Sequence, residues 1–249
     1  MIDVVYTLGT ESKCEDLELR YSLRSLSLFK DLGKVFIVGH LPKWIKRDTV
    51  IHIPAFDPYL ANKDANLISK LILACFDERL SEDFLWFSDD QVLLRECDVN
   101  LFQTPLIDNI HLRRLIVPGA RLNRWLTRLK RSKEILIERG YKYDCYESHT
   151  PYLLNKKLYP KILLSYDYGS AEGYLGNTLY FNTLFDTLDM SGIENTEQRL
   201  MKLEVEHSSV QEIELKRNDK FFLNYTDRAI NKNLFVFLET LFPETSIFE

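Results

Sequence analysis

Phe84-Leu85-Trp86-Phe87-Ser88-Asp89-Asp90-Gln91-Val92-Leu93-Leu94 decides how this chain is read. A strand-like apolar run delivers two adjacent carboxylates into a polar turn, and the chain then becomes apolar again. A buried carboxylate without a partner is costly and two together repel, so a divalent cation is the natural third party. Hard cations such as Mg2+ and Mn2+ take carboxylate oxygens and are often shared with substrate phosphates. The plainer alternative is a solvated turn capped by Asp89 or Asp90, and the pair alone does not choose between the two.

Working outward, Ile2-Asp3-Val4-Val5-Tyr6-Thr7 reads as a strand ended by Gly9, and Glu15 to Lys30 as a helix with Leu19, Leu23 and Leu26 on one face. Lys34 to Val38 and Val50 to Ile53 read as strands ended by Gly39 and Pro54. Leu67, Ile68, Leu71, Ile72, Cys75 and Phe76 then recur at helical spacing behind Asp64. Strands alternating with helices predict an α/β fold, a mostly parallel sheet flanked by helices. Ligands of such sheets bind outside the carboxyl ends of the strands, where Thr7-Leu8-Gly9-Thr10 and Ser88-Asp89-Asp90 both fall. The second half reads as a helical C-terminal elaboration, with helices over Arg121–Arg139, Asn155–Leu164, Gly173–Leu188 and Thr226–Leu241. Gly169, Gly173 and Gly176 punctuate a turn between two of them. One domain over 1–249 is expected, with a shift of composition near Leu101.

With 45% hydrophobic and 28% charged residues among 249, the chain is not of the disordered, collagen-like or coiled-coil classes. It holds no apolar run long enough to span a bilayer and its first residues do not read as a signal peptide, so a cytoplasmic protein is expected. Cys14, Cys75, Cys97 and Cys145 are far apart and are read as free thiols. The net charge of −5 conceals an asymmetry: Asn109 to Lys133 carries eight basic residues and no acid, so the rest of the chain stands at −13. Within that stretch Arg121, Arg124, Arg128 and Arg131 form one helical stripe opposite Leu122, Trp125, Leu126 and Leu129. The stripe suits a solvated face, a polyanion such as double-stranded DNA, or anionic lipid, in that order.

The Phe84–Leu94 segment resembles the strand-plus-acidic motif of GT-A-type glycosyltransferases, with Asp89-Asp90-Gln91 in place of D-x-D. Asp3-Val4-Val5-Tyr6-Thr7, Leu19-Arg20-Tyr21-Ser22-Leu23-Arg24-Ser25-Leu26, Val35-Phe36-Ile37-Val38-Gly39 and Pro42-Lys43-Trp44 follow in an order similar to the Stealth sugar-phosphate transferases and their short phage- and prophage-encoded relatives. The resemblance implies a GT-A-like fold, in which residues 1–100 bind a nucleotide sugar, most simply a UDP-sugar, and 101–249 face the acceptor. It implies Mn2+ or Mg2+ on Asp89 and Asp90, Asp90 also in catalysis, and Thr7, Leu8, Gly9 and Thr10 along the nucleotide. It adds Asn66 and Lys70 as donor-site candidates, and a bacterial or phage-infected cell with modified phage DNA as one acceptor. His149-Thr150-Pro151 is similar to the H-x-P element of the Stealth family, but Tyr168-Gly169-Ser170-Ala171-Glu172-Gly173 departs from the Arg-rich element that follows there. Simple glycosyl transfer therefore leads sugar-1-phosphate transfer, with a nucleic-acid-binding protein on a transferase scaffold as the non-enzymatic alternative.

Other residues carry readings of their own. Arg20 and Arg24 share a helix face, where they would reach donor phosphates or pair with Glu15, Asp16 or Glu18. His149, in a loop made extended by Pro151, would serve as base or metal ligand, with Asp144 and Glu147 as alternative bases. His207 is a weaker metal candidate. Phe221 to Asp227 reads as a strand running into a helix start, with Thr226 or Asp227 as the N-cap, near which a diphosphate would also be welcome.

Overall fold

The computed structural model describes residues 1–10, 12, 14–115, 122–188, 190, 192–193 and 196–249, and only the backbone of His111, Arg113 and Arg114. Its strands are β1 (Ile2–Leu8), β2 (Leu32–Gly39), β3 (Ile51–Ile53), β4 (Asp83–Phe87), β5 (Gln91–Leu93), β6 (Tyr152–Asn155), β7 (Leu200–Leu203) and β8 (Phe222–Tyr225). Its helices are α1 (Leu17–Ser25), α2 (Lys63–Cys75), α3 (Ile110–Leu115), α4 (Arg124–Glu138), α5 (Leu158–Leu163), α6 (Gly176–Leu188), α7 (Thr196–Arg199), α8 (Val210–Arg217) and α9 (Lys232–Leu241). No helix among the described residues is long and apolar enough to cross a membrane.

The main sheet has five strands in the order β3-β2-β1-β4-β6, parallel except for β6. This is the predicted α/β arrangement. From β1 the chain moves outward through β2 and β3 and returns through α2 to β4 on the other side of β1. The order thus reverses between β1 and β4, and in such sheets the ligand crevice lies at the carboxyl ends of the strands flanking that point. Alternation along the strands sorts the core into two layers. Val4, Tyr6, Leu8, Leu85 and Phe87 pack with Leu19, Leu23 and Leu26 of the α1 region. Val5, Phe84 and Trp86 pack with Ile68, Leu71 and Ile72 of α2 and with Leu179, Tyr180 and Phe181 of α6.

A second sheet, β5-β8-β7, is not expected from the sequence. It pairs residues 91–93 with 222–224, and so joins the segment after the acidic turn to the end of the chain. Its far face packs on Leu234, Phe237 and Leu238 of α9. Several boundaries also differ. Asp16 at φ 57° precedes α1, which therefore begins later than Glu15 and ends in a tight turn at Leu26–Leu28. The helix expected from Asn155 is instead the end of strand β6 followed by α5. The helix expected from Thr226 begins at Lys232, capped by the Asn231 side chain, while Thr226 donates its hydroxyl to the Glu204 carbonyl. Gly173, at φ 64°, lies against Asn62 ahead of α6.

Gly39 closes β2 at φ 110°, and a Cβ there would overlap the Leu8 carbonyl across the β1–β2 ladder. Gly39→Ala is therefore expected to cost about 3 kcal/mol or more, because strained φ and backbone overlap act together. Urea unfolding checks this, and a midpoint equal to that of the parent chain refutes it.

Candidate active site

The acidic turn is held from both sides. Ser88 N donates to Gln91 Oε1 at 3.1 Å, and Gln91 N to the Ser88 carbonyl at 3.2 Å. Gln91 is itself buried, and its carbonyl accepts from Ser22 Oγ of α1 at 2.5 Å, the same hydroxyl that meets Tyr6 at 2.8 Å. A glutamine thus stands in the third position of the acidic motif because that side chain closes the turn. Asp89 and Asp90 are half-buried and form no ion pair among the described residues. Burial holds both carboxyls well above the usual range; Glu18 and Asp16 add repulsion at Asp89, and Asp89 and Glu18 at Asp90.

That uncompensated charge fits a cation. Among the described residues no group of three or more His, Cys, Asp or Glu side chains is placed to hold a metal ion. Two carboxylates with the remaining positions left to substrate oxygens and water is a donor set suited to Mg2+ or Mn2+.

Tyr6 pairs with Phe87 in the β1–β4 ladder, so Thr7 and Leu8 lie level with the start of the acidic turn. Thr7 is buried and its hydroxyl accepts from Trp86 Nε1 at 3.2 Å; Leu8 is buried, whereas Gly9 and Thr10 are exposed. Lys70, on α2, reaches the same edge. Its buried ammonium donates to the Leu8 carbonyl at 2.7 Å and meets Asp57 Oδ1 at 2.5 Å. Asn66 does not reach the crevice in the same way, because its amide clamps the backbone N–H and carbonyl of Tyr59 at 3.0 and 3.1 Å.

Strand β6 brings the His149 loop to this edge. It runs antiparallel to β4 with Tyr152 opposite Trp86, which sets the residues before Pro151 level with Ser88 and Asp89. His149 is half-buried at φ 56°, between buried Ser148 and Thr150 whose hydroxyls meet at 2.8 Å. Glu147, two residues earlier, accepts from Thr178 N at 3.0 Å, Thr178 Oγ1 at 3.1 Å and Asn177 Nδ2 at 3.1 Å, and so caps α6. Burial nevertheless pushes its carboxyl up to about 7. The folded chain therefore holds a proton there that the unfolded chain has released, and this contribution to stability is complete below about pH 4.5 and lost as the pH rises to about 7. Glu147→Gln is expected to flatten a decline of about 1–3 kcal/mol across that interval. Urea midpoints at several pH values check it, and an unchanged slope refutes it.

Other candidates lie away from this edge. Arg24 is buried, with its guanidinium on Glu249 at 2.7 Å, Glu239 at 2.9 Å and the Phe242 carbonyl at 2.9 Å. Arg20 meets Glu249 at 3.2 Å and stacks on Trp44. These arginines tie α1 to the last residues of the chain instead of facing the crevice or pairing with Glu15, Asp16 or Glu18. The arginine stripe is also corrected. Arg128 is buried, paired with Asp64 and donating to the carbonyls of Ala61 and Glu172, and Arg131 meets Glu172 at 2.8 Å. Arg124 is exposed and Arg121 lies outside the described residues. Among the described residues a continuous phosphate-tracking face is therefore not formed, because Arg128 and Arg131 are engaged with Asp64 and with Glu172 in the loop before α6. His207 is set against Glu212, 3.7 Å away, and its carbonyl accepts from Asn231 and Asn233.

No family profile and no curated protein matches this chain. Among solved structures it is similar to the apo form of glycosyltransferase GlyE of Streptococcus pneumoniae TIGR4, at 11% identity over 96% of this chain and 60% of that one, with a TM-score of 0.45. It is similar to an active-site mutant of LgtC, at 11% identity over 99% and 98% of the two chains with a TM-score of 0.49. A third is a glycosyltransferase involved in glycosylation of the major capsid of PBCV-1, at 10% identity over 90% and 92% with a TM-score of 0.42. This chain spans 60% of the length of GlyE. The fold described above rests on its own strand order, and the site on its own residues.

Proposed function

We propose that this protein is a glycosyltransferase that moves a sugar from a nucleotide-sugar donor to a hydroxyl of a carbohydrate acceptor. The observation that carries the reading is the pair Asp89 and Asp90, half-buried and without a counter-charge among the described residues, at the point where the order of a mostly parallel sheet reverses. Mn2+ or Mg2+ bound there would neutralise the charge that develops on a departing diphosphate. Thr7 to Thr10 would line the nucleotide, and Lys70 with Asp57 would fix that loop from below. His149, with Glu147 beside it in sequence, would take the proton of the acceptor hydroxyl. DNA is not retained as the acceptor, since Arg128 is buried on Asp64 and Arg131 is paired with Glu172.

Thermal shift against a panel of nucleotide sugars, with and without Mn2+, tests the reading, followed by an assay for release of the nucleoside diphosphate. A UDP-sugar that stabilises the protein only with Mn2+ is the expected result. A panel without any stabilising member refutes it, and a product that retains the donor's sugar phosphate replaces it with sugar-1-phosphate transfer.

A further inference from the structure

Tyr6 and Tyr225 both lie beside the acidic turn, and among the described residues only the Tyr6 hydroxyl has a hydrogen-bond partner. Tyr6 shares a hydrogen bond with Ser22 at 2.8 Å. Tyr225, 1% exposed at the end of β8, has a buried hydroxyl with no hydrogen-bond partner among the described residues. Strand pairing explains its position: β5 and β8 are antiparallel with Gln91 opposite Asn224, so Tyr225 comes level with Asp90, and Asn224 Nδ2 reaches toward the Asp90 carbonyl at 3.4 Å. Burial first, and then the charges of Asp90, Glu18 and Asp89, keep the phenol protonated. A protonated phenol is a donor as well as an acceptor. Here the donor has no acceptor among the described residues, and a buried donor left unmade carries the full desolvation penalty of the group.

An oxyanion entering with a cation would supply the missing acceptor. We propose that Tyr225 is a positioning residue whose hydroxyl donates to a phosphoryl oxygen held against the Asp89–Asp90 pair by a divalent cation. The inference rests on the reading of this crevice as a nucleotide-sugar site, and it adds a residue from the second sheet that no motif in the sequence marks.

Tyr225→Phe deletes the hydroxyl and keeps the ring that packs on α9. Calorimetry would follow Mn2+ alone, then UDP in saturating Mn2+ (or, if UDP is not bound, the tightest nucleoside diphosphate of a panel), and then inorganic phosphate in Mn2+. Urea unfolding of the metal-free protein is the fourth measurement. Expected are an unchanged or higher midpoint, unchanged Mn2+ affinity, and about a 10- to 100-fold loss for the nucleoside diphosphate, the range of a hydrogen bond to a charged group. A parallel loss for inorganic phosphate would support contact with any phosphoryl oxygen, and a loss confined to the nucleotide would support contact with its diphosphate. Nucleoside diphosphate affinity within twofold of the parent chain overturns the role of Tyr225 while leaving the function standing, and so does a loss confined to Mn2+. A parent chain that binds Mn2+ but no nucleoside diphosphate overturns the proposed function and this inference with it.

Discussion

Asp89→Asn and Asp90→Asn are each expected to abolish Mn2+ binding measured by calorimetry and to weaken donor binding in Mn2+ at least about 100-fold, while making the metal-free protein more stable. The two effects share one cause. Burial raises both carboxyls, helped by Glu18 and Asp16 at Asp89 and by Asp89 and Glu18 at Asp90, so the folded chain holds protons that the unfolded chain gives up. The stability they contribute is complete at acid pH, below the ordinary carboxylate range, and is lost as the pH climbs through the raised values. Removing either charge lifts that loss, so the gain in midpoint should be largest at and above neutral pH and vanish in acid. A cation bound only by the folded parent chain should restore the same stability, by about 2.7 kcal/mol at a hundred times its dissociation constant. Both halves are required: Mn2+ binding that survives either substitution, or a midpoint that falls, removes the pair from the site.

The parts of this arrangement legible in the sequence are those fixed locally. Alternation in β1 and β4 and the regularly spaced leucines of α1 dictate which faces are buried, and the acidic turn announces itself because carboxylates after a buried strand need an explanation. Long-range partners leave no local trace. Arg24 pairs with Glu249 at the other end of the chain, whereas the sequence offers only Glu15, Asp16 and Glu18 within a turn or two. Arg128 reads as solvent-facing because a polar stripe on an amphipathic helix ordinarily is, but Asp64 and two carbonyls offset the cost of burying a guanidinium with five donors. Strands β6 and β7 are four residues each, too short for a period to emerge, and β8, which the run from Phe221 does announce as a strand, gives no sign that its partner is β5. Tyr225 is hidden for that reason. The one available signal is Asn224-Tyr225, polar groups ending the apolar run that begins at Phe221.

His149 should matter to turnover and not to donor affinity. Its backbone sits at φ 56°, a conformation that asparagine tolerates better than alanine does, so His149→Asn is the substitution that keeps the loop while removing a group able to take a proton at neutral pH. Antiparallel pairing of β6 with β4 gives the loop its place beside the acidic turn, and the hydroxyls of Ser148 and Thr150 lock it from within. A proton acceptor acts in the transition state, so kcat is expected to fall about 100- to 1000-fold with the dissociation constant of the donor unchanged and the thermal midpoint within a degree or two. Steady-state kinetics beside calorimetry separates the cases. Full activity in His149→Asn together with collapse in Glu147→Gln would transfer the proton to the carboxyl that burial has already brought up to about 7, within reach of neutral pH as a base needs to be.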